Sequence, residues 1–275
     1  MSYSDIQLAR EAKDLRDEIG LDQLTPIQSI QELVVEKIGH ELCEESFGDD
    51  FSAVCMTEDG IKFKIILNSD QMWNENFRRF SIAHELAHIC LIEHQAEMIR
   101  NGGILKSKSE FQSNKVVERE ADKFAINFLA PRSLVIEEIK NLEFDIHSLK
   151  ILCSKLGLSL LSGAFRYISL TDLCCSLMVI DNETEKIKYD FRSKEMKRVN
   201  FHQSLRGEDI PYQGELSKFL FSSSVTKEEE AELNDYYFNM RGSLRCKESF
   251  HKMNYNNTTL VLLSVLDDPE ELLNY

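Results

Sequence analysis

The chain has no Cys-x-x-Cys pair, no run approaching ~20 uncharged apolar residues, and few positive charges. Against 47 Asp and Glu it sets only 32 Lys and Arg, a net charge of −15 over 275 residues. Each shortage excludes something. The seven cysteines are odd in number and scattered, which speaks against a disulfide scaffold or a zinc ribbon and reads as reduced thiols. The missing apolar runs leave no membrane span, and the first residues alternate charged with apolar side chains instead of forming a signal-peptide core. Together these lead us to expect a cytoplasmic protein. The acidic balance argues against direct binding of nucleic acid, which is held by basic surfaces, and leaves a basic protein partner open. Only four prolines occur. Pro26 suits the first position of a helix and Pro131 a helix stop. With 43% hydrophobic and 29% charged residues, the composition is that of a folded chain long enough to bury a core.

Helical spacing covers residues 3–19 and 27–38, the second opening at Thr25-Pro26. Strand-like runs at 41–43, 51–56 and 63–67 follow, the last two joined by Thr57-Glu58-Asp59-Gly60, a hairpin signal. No Gly or Pro interrupts 75–92, which predicts one long helix. Residues 100–114, with Asn101-Gly102-Gly103, read as a loop. A helix over 116–129 stops at Pro131, a short one follows it, and two more span 145–168 around Gly157. Beyond residue 170 the pattern turns to strands, with a hairpin about Asp181-Asn182-Glu183-Thr184 and an apolar strand over 258–266. The fold class is α+β. A mainly helical domain with a small antiparallel sheet is expected over 1–170, followed by a smaller α+β domain over 171–275.

The long helix contains His84-Glu85-Leu86-Ala87-His88, a His-Glu-x-x-His motif. Residues four apart lie about 40° apart around a helix, so both imidazoles can converge on one cation. Glu85 is turned by roughly 100° from His84, beside the metal and not on it, where a general base for a water nucleophile belongs. Phe80, Ala83, Ala87 and Leu91 supply packing. A zinc protease of this kind needs a third protein ligand and an open fourth position. On the next helix Glu118 and Asp122 share a face. Glu118 is the candidate ligand, and Asp122 the candidate to hydrogen-bond the outer nitrogen of a ligating His. Glu120 points about 160° away and is the weaker candidate. An acidic pair four apart on a helix is commonly just a solvated face; its place after the His motif, ahead of Phe124-Ala125 and the helix stop, favours the ligand role.

The chain resembles the ImmA/IrrE-type zinc metallopeptidases. The likeness runs through Phe63-Lys64-Ile65-Ile66-Leu67-Asn68 and Arg79-Phe80-Ser81-Ile82-Ala83-His84-Glu85-Leu86-Ala87-His88. It resumes at Glu118-x-x-x-Asp122-x-Phe124-Ala125-x-x-Phe128-Leu129-Ala130-Pro131 and covers about residues 5–170. Departures are mild: Ser81 stands where Thr is common, Phe128-Leu129-Ala130-Pro131 where Leu-Leu-Met-Pro is common, and Asp122 where Asn is frequent. The resemblance implies a gluzincin-like site in which Zn2+ is held by His84, His88 and Glu118 with Glu85 as base. It also implies a protein substrate, a helix-turn-helix transcriptional repressor. It assigns nothing to residues 171–275.

Other features are weaker. His94, His147 and Tyr167 are possible oxyanion donors, each better explained as structural or exposed. The two helices near Gly157 have the outline of a helix-turn-helix, but Lys150, Lys155 and Arg166 are too few cations to read DNA. The basic stretch Lys186–Arg198 reads as a solvated strand edge, and Trp73 as a core anchor or a wall of the site. Two rival functions stay open: a non-cleaving metal-containing sensor or anti-repressor, and the partner-binding component of a toxin–antitoxin or phage-defence pair.

Overall fold

Ser4 starts the first helix, α1 (Asp5–Glu18), with a capping box: its hydroxyl accepts from the Gln7 amide while the Gln7 side chain closes on the Ser4 amide. The structure, a computed structural model, describes residues 2–48, 51–70, 74–107, 116–198, 204–210, 215–237, 244–253 and 257–269. It divides into two compact units, residues 1–137 with 154–159 and residues 138–153 with 160–275. The compositional change near residue 170 thus falls inside the second unit, where its strands begin.

In the first unit α2 (Ile30–Glu32) runs on as a wider π-helical turn over Leu33–Ile38. Its cap is Ser29, whose hydroxyl accepts from the Glu32 amide at 3.2 Å, and not Thr25 as expected. Thr25 is otherwise engaged: its hydroxyl donates to Asp22 at 2.7 Å and its carbonyl accepts from Arg16. Arg16 is fully buried and also donates to the carbonyls of Asp22 and Phe128, at 2.6 and 2.7 Å. Burial lowers its pKa to about 10, so it remains charged at neutral pH. By taking the Phe128 carbonyl it ties α1 to the end of α5 (Val116–Leu129), where unsatisfied helix carbonyls favour a cation.

The strands β1 (Glu41–Glu45), β2 (Ala53–Thr57), β3 (Phe63–Asn68) and β4 (Ile104–Ser107) form one sheet in the order β1-β3-β2-β4. The expected hairpin is there, β2 antiparallel to β3, but β1 runs parallel to β3. The sheet is therefore mixed and not wholly antiparallel, because β1 and β2 pair with opposite sides of β3 instead of with each other. β4 lies inside the stretch read as a loop and pairs antiparallel with β2. Its approach needs Gly103, which has φ +83° and whose carbonyl accepts from the Thr57 amide at 2.8 Å. A Cβ there would lie 2.1 Å from the Thr57 oxygen.

Helix α3 (Glu75–Cys90) is capped by Asn74, whose side chain accepts from the Phe77 amide at 2.9 Å. The helix expected over 75–92 is there and ends at Cys90; Leu91 is extended (φ −86°, ψ 115°) and α4 (Ile92–Arg100) follows it. Between α1, α3 and α5 lie Leu8, Ala12, Ile82, Leu86, Ala121, Phe124, Ala125 and Phe128, all fully buried. Arg79 of α3 donates to the carbonyls of Ile27 and Gln28, at 2.6 and 2.8 Å. It passes so close to Gly157 (φ +63°) that a Cβ there would meet its Nε at 2.3 Å. Trp73 lies outside the described residues.

After α6 (Arg132–Ile139), α7 (Ile146–Leu156) and α8 (Leu160–Leu170), the second unit carries a five-stranded antiparallel sheet. Its strands are β5 (Cys175–Asp181), β6 (Lys186–Arg192), β7 (Thr226–Glu232), β8 (Arg245–Met253) and β9 (Thr258–Val265), in the order β6-β5-β9-β8-β7. With α9 (Lys194–Arg198) and α10 (Glu215–Leu220) they enclose a core that includes Met178, Ile180, Met196, Phe219, Phe250, Val261 and Leu263. On α7 Leu149, Leu152 and Leu156 are buried while Ile151 is exposed. In the basic stretch Lys186 pairs with Asp209, Arg192 with Asp190 and Arg198 with Glu195. The cysteines are all free, and burial raises the pKa of Cys55, Cys90, Cys153, Cys174, Cys175 and Cys246. Among the described residues no single helix is long and apolar enough to cross a membrane.

Glu248 on β8 is 2% exposed, accepts from the Tyr236 hydroxyl and sits opposite Glu229 of β7. Burial, with the like charge of Glu229 adding to it, pushes the Glu248 carboxyl up from 4.5 to about 7. A folded pKa above the unfolded one means stability is full below pH 4.5 and is lost as pH rises through 7. We predict that Glu248→Gln removes a fall in stability of at most about 3 kcal/mol between pH 4.5 and 7. Denaturant midpoints of both proteins across that range check it.

Candidate metal centre

His84 and His88 come from one side of α3 and are 2% and 0% exposed. Their Nε2 atoms are 3.2 Å apart. Glu118, from the first turn of α5, brings Oε2 to 3.3 Å from His84 Nε2 and Oε1 to 3.9 Å from His88 Nε2. Bonds of about 2.0–2.2 Å to one tetrahedral cation put neighbouring ligand atoms roughly 3.3–3.6 Å apart. The three separations bracket that value. Glu118 Oε2 is buried and forms no hydrogen bond despite its closeness to the imidazole, as expected when lone pairs converge on a common point. Among the described residues, these three form a group able to hold a metal ion, and the donor set fits one.

The surroundings favour positive charge at that point. Burial lowers the His84 pKa, but the Asp122 hydrogen bond, the adjacent Glu118 carboxylate and the charge of Glu85 outweigh it and raise it to about 10. A cation between these groups would take over the neutralising role of that proton. Asp122 Oδ1 is 2.8 Å from His84 Nδ1, the contact the helical spacing predicted. Glu85 is 1% exposed on α3, one residue round from His84.

His88 is supported differently. Its Nδ1 lies 3.0 Å from His94 Nδ1, and His94 Nε2 lies 3.0 Å from Glu120 Oε2. Glu120 Oε1 accepts from the Ser2 hydroxyl and the Tyr3 amide, each at 2.7 Å. Burial lowers the pKa of both His88 and His94, the latter against the pull of Glu120. Spacing reasoning ranked Glu120 as a weak ligand and missed this role. On an unbroken helix His94 would sit about 120° round from His88; only the break at Leu91 turns it back, and no Gly or Pro marks that break. With both ring nitrogens engaged, His94 is not available as an oxyanion donor. His147 is exposed and the Tyr167 hydroxyl donates to the Leu142 carbonyl, both within the second unit.

Residues 35–164 match the profile of the IrrE N-terminal-like domain of the peptidase M78 family. No curated protein matches the chain. Among solved structures, a Mycobacterium tuberculosis transcriptional regulator superposes with a TM-score of 0.58 at 13% identity, covering 94% of this chain and 76% of that one; this is a likeness of fold. The matched residues contain α3 and α5 with the whole His84–His88–Glu118 cluster, so over residues 35–164 the chain is similar to the IrrE N-terminal-like domain of the M78 peptidases.

Proposed function

We propose that the protein is a zinc-dependent endopeptidase that cuts one specific protein, a helix-turn-helix transcriptional repressor. The observation that carries this reading is the triangle of His84 Nε2, His88 Nε2 and Glu118 spanning 3.2–3.9 Å, together with Glu85 beside it. Two imidazoles and one carboxylate are the ligand set of zinc hydrolases that keep a fourth position open. Bound there, zinc supplies Lewis acidity toward the scissile carbonyl and makes water available as hydroxide near neutral pH. Glu85 takes the proton of the attacking water on a carboxylate oxygen and hands it to the departing amine. Asp122 accepts from His84 Nδ1 and so holds that ring with Nε2 turned to the cation. Residues 1–170 contain the hydrolytic machinery in this reading. Residues 171–275, with a sheet and core of their own, recognise the substrate or the activating signal.

The test is a helix-turn-helix repressor encoded beside this protein, incubated with it before and after chelation. The expected result is two fragments, no cut after chelator, and recovery on adding zinc. A repressor that is bound and displaced but stays whole in the presence of zinc overturns the endopeptidase and supports the non-cleaving sensor.

A further inference from the structure

We propose that His94 and Glu120 are a positioning pair for His88, holding its imidazole as an Nε2 ligand, with Ser2 and Tyr3 anchoring the far end. This deepens the metal-centre reading above and rests on it. The argument is one of hydrogen bookkeeping. His88 Nε2 faces His84 Nε2 and Glu118, and an imidazole that ligates a cation through Nε2 keeps its single hydrogen on Nδ1. The atom 3.0 Å from it is His94 Nδ1, which must accept, so His94 carries its own hydrogen on Nε2. That nitrogen lies 3.0 Å from Glu120 Oε2, a carboxylate oxygen that only accepts. The remaining oxygen of Glu120 takes the Ser2 hydroxyl and the Tyr3 amide.

Each hydrogen thus has one place, and moving the hydrogen of either ring to its other nitrogen sets two donors or two acceptors face to face. His94 and Glu120 are 1% and 5% exposed, so water does not substitute readily for a lost partner. The Tyr3 ring meets the His94 ring edge-on, with centroids 6.1 Å apart and planes at 84°, which fixes the His94 plane. The two ligands are therefore served by two carboxylates of α5, His84 directly by Asp122 and His88 by Glu120 through a second imidazole.

Zinc affinity, measured by competition with a chromophoric chelator, tests the pair. Loss of a partner behind a ligating His typically costs 10–100-fold in metal affinity. His94→Ala and Glu120→Ala are each expected to weaken zinc binding by about 10–100-fold. Glu120→Gln, which keeps an acceptor, is expected to retain most of the affinity. The double variant His94→Ala/Glu120→Ala is expected to be no weaker than the poorer single one, since one break already opens the chain. Histidine nitrogen NMR on the unaltered zinc-loaded protein needs no variant to fold: it should show hydrogen on His88 Nδ1 and on His94 Nε2. Wild-type affinity in both alanine variants, or a hydrogen on His94 Nδ1, overturns the pair and leaves the metal centre standing. Failure of the unaltered protein to bind zinc, or His88→Ala binding as tightly, overturns the metal centre and the pair with it.

Discussion

Glu85→Gln will leave zinc content unchanged and slow cleavage of the repressor by roughly 10²–10⁴-fold, the usual contribution of a positioned general base. The substitution keeps the shape of the side chain on α3 and removes its ability to take a proton. Glu85 is 1% exposed, so a near-isosteric replacement is needed; an alanine would add a packing defect to the chemical one. The ligand atoms of His84, His88 and Glu118 are untouched. Removing one of the carboxylate charges that act on His84 weakens cation binding only slightly in comparison. Single-turnover cleavage with metal analysis of the same sample separates the two effects. Cleavage at the wild-type rate would place the base elsewhere.

The second large effect is thermal. Zinc that binds only the folded protein stabilises it by about 4 kcal/mol at a thousandfold excess over Kd. For a domain of 150–250 residues each kcal/mol moves the midpoint by roughly 2–4 °C, so zinc added to the stripped protein should raise Tm by about 8–16 °C. Glu118→Ala should abolish that rise, because the two imidazoles alone leave two positions to solvent. The rise should also shrink in acid, since a cation competes with the proton that Asp122 and Glu118 favour on His84. Scanning calorimetry at fixed free zinc checks both statements. A full zinc-dependent rise in Glu118→Ala would mean that another group completes the site.

Much of this centre was readable from spacing alone. A period of four on α3 aligns His84 with His88, and the same period on α5 aligns Glu118 with Asp122; each pair appears in the structure as counted. Spacing works there because both segments are regular helices. It fails where tertiary contacts override local pattern. The turn at Leu91 carries no Gly or Pro, so nothing in the local pattern signals that His94 comes back to His88. Gly102-Gly103 looked like a loop, yet the second glycine serves a close approach to Thr57 that lets β4 join the sheet. β7 reads Thr-Lys-Glu-Glu-Glu-Ala-Glu, which has no apolar alternation; it is an edge strand, where solvated charges are tolerated and discourage pairing with other chains. The small sheet was expected to be antiparallel, but β1 pairs parallel to β3; neighbours in sequence need not be neighbours in a sheet.

Helix α5 delivers three different services within five residues: Glu118 to the cation position, Glu120 to His94 and Asp122 to His84. Its opposite end is hooked by Arg16 through the Phe128 carbonyl. Lifting this one rod from its neighbour would therefore strip away a ligand and both buttresses in the same movement. Ion release and local melting then become a single event, all or nothing, and a partner that tugged on α5 would hold the off switch for the whole centre.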